Sequence, residues 1–164
     1  MTEDLLVRPC QVSDAMVLRD VRLEALRDTP DAFGSTFDEA STWPAERWTT
    51  MASDWNFYLG YLEGRPAGMA SGGWHEHYPG THWLYGMYVT PSARGTGLAD
   101  ALVDAVSTWA CAQGGDALYL HVTATVARAR RFYERIGFVP TGEVTAMHRN
   151  SSLQLITMVK YFAT

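Results

Sequence analysis

The stretch MYVTPSARGTGLADALVDAVSTWA, residues 87–110, constrains the fold more than any other part of the sequence. A short apolar run breaks there into a proline and an Arg-Gly-Thr-Gly turn, and apolar residues then recur at helical spacing. This order predicts a strand, a tight turn and a helix that begins at the glycines. Such a helix presents unpaired N–H groups and the positive end of its dipole at one point, which favours phosphate. Gly95 and Gly97 let an oxygen approach the backbone, and the Arg94 guanidinium can hold phosphate oxygens.

Two familiar phosphate-binding loops do not fit this turn. A P-loop requires Gly-Lys-Ser or Gly-Lys-Thr after a longer glycine-flanked loop, and the sequence contains neither. A dinucleotide fingerprint fails because Asp100 stands where the third small residue belongs, and the strand LYLHV does not end in a ribose-binding acid. The alternative to a phosphate site is that the glycines only form a tight turn and that Arg94 is a solvated surface residue.

Strands and helices around this stretch indicate one mixed sheet. Before it, apolar spacing and turn residues predict a strand at 5–10 and a helix that is capped by Ser13 and ends near Thr29-Pro30. A loop with short helical turns is predicted at 28–44, followed by a helix around 44–52. Two strands within 55–78, joined at 63–66, and a strand at 81–89 complete this part. After it they predict glycines that end the central helix at 113–116, a strand at 117–122, a helix at 127–137 and a strand at 153–162. We therefore expect an α/β protein with an α+β mixed sheet and helices on both faces, forming a single domain over 1–164.

Composition excludes several classes of partner. The formal net charge of −5 argues against nucleic acid and anionic membranes as partners, but it does not discourage a cationic substrate. Cys10 and Cys111 lie far apart and belong to no Cys-x-x-Cys or His-rich cluster, so we expect neither a metal site nor a redox pair. No leader-like segment and no run of about 20 apolar residues occurs, so we expect a soluble, cytoplasmic protein.

A third loop pattern does fit the turn. Arg/Gln-x-x-Gly-x-Gly/Ala is met by Arg94, Gly97 and Ala99 directly after LYGMYVTP. This pattern resembles the acetyl-CoA loop of the GCN5-related N-acetyltransferase (GNAT) family. VRPCQVSDA, RLEALRDTPDAFGST and LYLHVTATVARARRFYERIGF resemble further family segments in the same order. The resemblance implies the GNAT acyl-CoA N-acyltransferase fold, with a central mixed, mostly antiparallel sheet and helices on both faces, and acetyl-CoA as cosubstrate.

The resemblance also implies which residues bind acetyl-CoA. In the family, the pantetheine arm lies along the strand before the loop, which is splayed from the next strand, and the pyrophosphate lies on the loop N–H groups. Two arginines of the following helix reach the adenosine phosphate, although simple solvation is the alternative for both. The cofactor-binding residues implied in this way are Met87, Tyr88, Val89, Arg94, Gly95, Thr96, Gly97, Leu98, Ala99, Arg128 and Arg131.

Val126 departs from the family pattern. Many members carry an asparagine at this position, and its side-chain amide helps to hold the cofactor. Valine cannot make that bond. We therefore expect cofactor binding to persist through the backbone, with a different arrangement near the pantetheine.

Tyr133 is the candidate catalytic residue, because it matches the family tyrosine often placed beside the thiol. With an ordinary pKa of about 10 it is protonated at neutral pH and able to donate a proton to the departing thiolate. The alternative is a core tyrosine on an apolar helical face. A covalent route through a cysteine is disfavoured because neither cysteine lies near the expected thioester, so direct attack in a ternary complex is expected.

The general base is left open by the sequence. Some family members place a glutamate early in the strand before the loop, but residues 83–85 contain no carboxylate. Proton acceptors close to this strand in the sequence, acting directly or through water, are His75, Glu76, His77 and His82. Exposed loop residues with no catalytic part are the alternative for each of them.

The acceptor pocket is expected between three segments: residues 28–44, the strand ends around Trp74 and Tyr85, and the loop 145–152. Acidic residues of the first segment that could attract a cationic amine are Asp28, Asp31, Asp38 and Glu39. The tryptophans could stack on a ring or cover a cation. The alternative is that these acids cap helices and that the aromatic residues fill the core.

The sequence thus predicts an acetyl-CoA-dependent N-acetyltransferase, an acyltransferase that acts on a primary amine of a small molecule. Two alternatives share the fold: acetylation of a protein N-terminus or lysine, and a catalytically weak acetyl-CoA-binding or sensory module, which Val126 and the absent strand carboxylate make conceivable. A third, a nucleotide-binding oxidoreductase, predicts affinity for NAD. The resemblance is also compatible with a homodimer.

Overall fold

The computed structural model describes residues 4–163. Within them the strands are β1 (Leu5–Pro9), β2 (Phe57–Leu62), β3 (Arg65–Gly73), β4 (Trp83–Val89), β5 (Ala117–Thr123), β6 (Val139–Met147) and β7 (Asn150–Tyr161). The α-helices are α1 (Ala15–Asp28), α2 (Phe37–Ser41), α3 (Ala45–Asp54), α4 (Leu98–Ala112) and α5 (Ala127–Arg135). Short 3-10 turns occur at Val12–Asp14, Pro30–Ala32 and Pro91–Ala93.

The strands form one seven-stranded sheet in the order β1-β2-β3-β4-β5-β7-β6. All neighbours are antiparallel except β4 and β5, which are parallel and share a single residue pair, Trp83 opposite Tyr119. The predicted mixed, mostly antiparallel sheet is therefore confirmed. The one parallel junction is also the least paired, and it lies next to the loop that the sequence singled out.

Local sequence explains the hairpin on one side of this junction. Glu63 and Gly64 connect β2 to β3, and both have positive φ angles, 50° and 78°. Two residues with positive φ form the type of turn whose twist matches that of the flanking strands. The turn therefore sets the register that places Leu62 opposite Arg65.

Helices cover both faces of the sheet, as predicted. Buried side chains under α4 and α5 include Leu98, Leu102, Val106, Leu118, Leu120 and Phe138. Those under α1, α2 and α3 include Leu18, Leu26, Trp48, Met51, Leu59 and Met69. The helix α4 lies close to β2: a Cβ placed on Gly60 would be only 2.9 Å from Leu98 Cδ1. This packing fixes the beginning of α4 over the sheet.

Two details differ from the sequence prediction. Helix α1 begins at Ala15, not after Ser13, because Asp14 accepts a bond from the Gln11 N–H at 2.8 Å and pairs with Arg8 at 2.7 Å. Strand β6 was not predicted, and the expected loop at 145–152 is a β6–β7 hairpin. Most of β6 is exposed, so it lacks the alternation of apolar and polar residues that predicts a strand.

The length and hydrophobicity of the described helices differ from those of a membrane span. None of those in residues 4–163 combines the length and the apolar character that a membrane span needs.

Candidate functional site

A bulge in β4 opens the sheet beside β5. Gly86 and Met87 lie opposite a single residue of β3, Ala70. Gly86 has a φ of 59°, a left-handed conformation that glycine adopts readily. Because a bulge bends its strand, β4 leaves β5 after the pair Trp83–Tyr119, and a gap forms between the two parallel strands. We call this gap, together with the loop at its end, the slot.

The slot has a volume of about 710 Å³. It is lined by Thr29, Ala32, Met87, Tyr88, Val89, Arg94, Gly95, Thr96, Gly97, Ala99, Asp100, Val126, Arg128, Ala129, Phe132, Tyr133 and Arg135. Most of the cofactor-binding residues predicted from the sequence are therefore brought together here. Leu98 is fully buried under the loop and only its backbone belongs to the turn, and Arg131 is exposed and does not line the slot.

Backbone groups of β4 point into the slot. The Thr90 N–H donates to the Ala67 carbonyl of β3 at 2.8 Å. Because successive residues of a strand point their backbone groups to opposite sides, those of Val89 face the slot. Their direction is that required for pairing with an extended ligand beside β4. The Val89 carbonyl accepts the Arg94 Nε–H at 3.2 Å.

The loop before α4 carries unpaired donors. Among the described residues, the N–H groups of Gly95, Gly97 and Ala99 find no hydrogen-bond partner, whereas that of Leu98 donates to Thr96 Oγ1 at 3.3 Å. Gly95 and Gly97 have φ angles of 79° and 94°. No atom lies within 4 Å of a Cβ placed on Gly95. Free donors, open space and the beginning of a 15-residue helix together fit a diphosphate group.

Arginines surround the loop, and two of them are already paired. Arg94 Nη2 donates to Asp28 Oδ2 at 2.7 Å, so the guanidinium bridges α1 and the end of β4. Arg135 pairs with Asp100 at 2.9 Å, and the sequence reasoning did not single it out. Arg128 is exposed and lines the slot. A basic rim around free N–H groups favours an anionic ligand.

A second cavity of about 680 Å³ adjoins the slot. It is lined by residues 32–34, 54–57, 71–74, 84–87, 120–123 and 147–149, and by Arg22, Met51, Val126, Ala129, Tyr133 and Leu155. The three segments expected around an acceptor pocket all contribute to it. The four acidic residues expected there do not line it.

Slot and second cavity meet at Tyr133. Residues common to both linings are Ala32, Met87, Val126, Ala129 and Tyr133. Tyr133 is buried, and burial raises the pKa of its hydroxyl above the ordinary value, so the group is protonated at neutral pH. Val126 also lines both cavities and presents no hydrogen-bonding atom on its side chain. The junction can therefore donate a proton from Tyr133.

The histidines are arranged differently from what the sequence suggested. None of the expected bases His75, Glu76, His77 and His82 lines the second cavity. His121 does, together with its neighbours Leu120, Val122 and Thr123 at the end of β5. Burial and, to a lesser degree, His75 lower the pKa of His121 to about 4, and its Nε2 is buried without a partner. The imidazole is therefore neutral at neutral pH.

Arginine 149 fastens the segment 28–44 over the second cavity. Its Nη2 donates to the carbonyls of Pro30 and Phe33 at 2.7 and 3.0 Å, and its Nε donates to Phe33 at 3.2 Å. Charge-assisted bonds to carbonyl oxygens of this length are strong. The tip of the β6–β7 hairpin thus holds the wall of the cavity in place.

Metal binding is not indicated by the arrangement of side chains. Across residues 4–163, no three His, Cys, Asp or Glu side chains are grouped so that they could hold a metal ion.

Comparison with known proteins gives one family. A sequence model of the Acetyltransferase (GNAT) family matches residues 21–138. None of the curated proteins in the comparison matches the chain.

Solved structures resemble the whole chain. A GNAT-family structure from Desulfovibrio desulfuricans, described as an acetyltransferase, is 26% identical, with a TM-score of 0.72 over 98% of this chain and 100% of that one. One from Salmonella typhimurium, solved with its cofactor acetyl-CoA, is 18% identical, with a TM-score of 0.78 over 98% and 95%. A ribosomal-protein-alanine N-acetyltransferase from Brucella melitensis is 21% identical, with a TM-score of 0.71 over 96% and 99%. The last two likenesses concern the fold alone.

Proposed function

The chain belongs to the acetyltransferase (GNAT) family, and from this premise we propose that it transfers the acetyl group of acetyl-CoA to a primary amine of a small molecule. The observation that carries the proposal is the junction of the slot with the second cavity at Tyr133. A cavity with free backbone N–H donors and a second cavity meet at a buried proton donor. A donor and an acceptor of an acyl group need this arrangement, because both must reach one point from different sides.

Acetyl-CoA fits the slot through the backbone. The N–H groups of Gly95, Gly97 and Ala99 would hold the diphosphate, and the backbone of Met87 and Val89 would pair with the pantetheine arm. Arg128, on the rim, would attract the adenosine phosphate. A structure of the same fold holds acetyl-CoA, which supports this assignment.

Arg94 would keep its protein partners on binding and still contact phosphate oxygens. In this structure its Nε and Nη2 are used by the Val89 carbonyl and by Asp28. Other N–H groups of the guanidinium remain for phosphate oxygens, because Arg carries more donors than these bonds use. The pair with Asp28 would then position the guanidinium beside the loop.

Bound in the slot, acetyl-CoA supplies a thioester whose carbonyl is open to a neutral amine. Tyr133 would give its proton to the departing sulfur, since its hydroxyl is protonated and the residue lines both cavities. His121 is a weak base with a pKa of about 4 and cannot take a proton efficiently from an ammonium group. The amine would therefore enter in its neutral form, after losing its proton to bulk solvent, and His121 would form a neutral wall of the cavity.

The size of the second cavity supports a small acceptor. Its volume of about 680 Å³ lies in the range of cavities that hold small molecules, roughly 300–1,000 Å³. The segment from Pro30 to Phe33, fastened by Arg149, closes one side of it. An extended protein chain would need an open groove instead.

Two measurements test the proposal. Calorimetry should detect binding of acetyl-CoA to the folded protein, and a panel of primary amines should then give release of free thiol together with an N-acetyl product identified by mass spectrometry. Thiol release without an acetylated amine would contradict amine transfer. Binding without any transfer would favour the sensory alternative, and absence of binding would contradict the slot assignment itself.

A further inference from the structure

Arg22 is a cation without an anionic partner. It lies on α1, is partly buried with its Nε wholly enclosed, and lines the second cavity. Its Nη2 donates to Ser35 Oγ at 3.2 Å, while its Nε is buried without any partner. Its guanidinium carbon is 5.7 Å from the centre of the Phe33 ring and 5.9 Å from that of the Trp43 ring. A hydroxyl and two rings form its surroundings.

The charge of Arg22 is not balanced by the protein. No carboxylate of residues 4–163 lies within ion-pair distance of it, whereas Arg8 and Arg94 each pair with an aspartate. Burial, with Arg47 as a second cause, lowers the pKa of Arg22 to about 10, which still leaves it charged at neutral pH. A buried charge without a counter-ion is costly, and an anionic ligand would remove that cost.

The rest of the second cavity contains little negative charge. Asp54 is the one carboxylate among the described residues that line it, and its side chain is exposed. Arg149 also lines the cavity, but its Nε and Nη2 are occupied by carbonyl oxygens. Of these two arginines, Arg22 is therefore the one with a buried guanidinium N–H that has no partner.

Arg22 also lies close to the slot. A Cβ placed on Gly86 would be 3.4 Å from Arg22 Nη1, and the next residue, Met87, lines both cavities. An anionic group bound to Arg22 is thus held beside the junction at which the amine must react. The arrangement suits a molecule whose amine and anionic group are separated by few atoms.

We propose that Arg22 binds the carboxylate of the acceptor, so that the acceptor is an amino acid with an apolar or aromatic side chain. This inference rests on the proposed function. The guanidinium would hold the carboxylate by two parallel hydrogen bonds, the geometry that Arg favours. The apolar part of the molecule would lie among the aromatic side chains of the same cavity, which include Phe33, Phe57, Trp55 and Trp74.

Matched pairs of acceptors test the inference. Phenylalanine and phenethylamine, tryptophan and tryptamine, and leucine and isoamylamine each differ by one carboxylate. We expect the wild type to acetylate at least one acid with a kcat/KM about 10-fold or more above its amine, as one charge-assisted contact predicts. Arg22→Met should remove this preference, lowering kcat/KM for the acid about 10²-fold and leaving the amine within about 3-fold.

Binding gives a readout without acetyl transfer. With coenzyme A present in place of acetyl-CoA, calorimetry should detect the preferred acid in the wild type and about 10²-fold weaker binding in Arg22→Met. Arg19→Met is the matched control, because Arg19 lies on the same helix, pairs with Asp20 at 3.4 Å and lines neither cavity. Should Arg22→Met fail to fold by circular dichroism, Arg22→Lys keeps the charge but loses the fork, and it should weaken acid binding about 10-fold.

The outcomes separate this inference from the proposed function. If the wild type neither binds nor acetylates any acid better than its amine, or if the folded Arg22 variants keep the preference, the carboxylate site is overturned even when other amines are acetylated. If acids bind through Arg22 and no acetyl group is transferred, the carboxylate site stands and the proposed function fails.

Discussion

The slot and the second cavity are of similar volume, about 710 and 680 Å³, but they are built in different ways. One side of the slot is a continuous stretch of chain from Met87 to Ala99, which contains a bulge, a loop with two left-handed glycines and the beginning of a helix. The second cavity is formed by side chains from both halves of the chain. A site made of main chain recognises a common group, and a site made of side chains can differ between proteins of one fold.

The two regions also treat charge differently. At the slot, Arg94 and Arg135 are paired with Asp28 and Asp100, so the loop is held in place before any ligand arrives. In the second cavity, Arg22 has no such partner. The charges of the slot are thus balanced within the protein, whereas under our proposal the charge of Arg22 is balanced by the acceptor.

Replacing both loop glycines should have the largest effect. Gly95→Val with Gly97→Val forces a branched side chain into a left-handed backbone and displaces the free N–H groups. Loss of two charge-assisted bonds predicts an affinity for acetyl-CoA lower by about 10³-fold or more, measured by calorimetry. Gly114→Val is the control, because Gly114 has a φ of 86° at the other end of α4. Unchanged affinity in the double variant would mean that side chains, not main chain, make the slot.

The junction should show the next largest effect. Tyr133→Phe removes the hydroxyl that both cavities share, so kcat should fall about 10²-fold while the affinity for acetyl-CoA stays the same. Steady-state rates of thiol release, together with calorimetry, check this. Tyr58→Phe should change neither, since Tyr58 packs into the core and lines neither cavity. A parallel loss of affinity would place Tyr133 in the slot as a binding residue.

The pH dependence of stability should report on His121 of the second cavity. The pKa of His121 is lowered from 6.5 to about 4 in the folded state, so below pH 6.5 the unfolded chain binds the proton first. The contribution of neutral His121 to the free energy of unfolding is therefore fully present above pH 6.5 and decreases as the pH falls towards 4. The total decrease is up to about 2 kcal/mol, because solvent screens part of the effect at this partly exposed residue.

Urea unfolding of the wild type at several pH values measures this loss, and His121→Phe should remove it. His77→Gln, at an exposed residue, should leave the pH dependence as it is. A wild-type curve that is flat between pH 6.5 and 4 would contradict the burial of a neutral His121.

The smallest effect is expected at the border of the two regions. Val126→Asn adds a hydrogen-bonding amide beside Met87 and Tyr133, and one such bond predicts acetyl-CoA binding tighter by about 5-fold. Val12→Asn, at a residue that is 56% exposed and far along the chain, should leave the affinity unchanged. Weaker acetyl-CoA binding in Val126→Asn would mean that Val126 contributes to binding by an apolar contact.

Sequence reasoning succeeded where structure is local. The strand, turn and helix around 87–110 lie where apolar spacing and the glycines predicted them, and the Glu63-Gly64 turn was correctly placed. Strand β6 escaped prediction because most of it is exposed and Pro140 and Gly142 interrupt it. Neither its pattern nor its composition is typical of a strand.

The second cavity was harder to predict because its residues are ordinary within their own elements. Nothing in the residues next to Arg22 distinguishes it from an exposed helical arginine. Its surroundings are formed by Ser35, Phe33 and Trp43, which follow it in sequence and pack near its guanidinium. His121 could have been noticed as the one imidazole of LYLHV, but its burial depends on His75 and Trp83, far away in sequence. Non-local packing of this kind leaves no periodic signal.

The bond from the last hairpin to the segment before α2 has a consequence for the order of synthesis. Every residue that lines the slot precedes Ile136, whereas the second cavity also needs Met147, His148, Arg149 and Leu155. During synthesis, all residues that line the slot are therefore made before Arg149, which holds the wall of the second cavity in place. Exchange of the final 25 or so residues between relatives would be a route to new acceptors that leaves the donor pocket untouched.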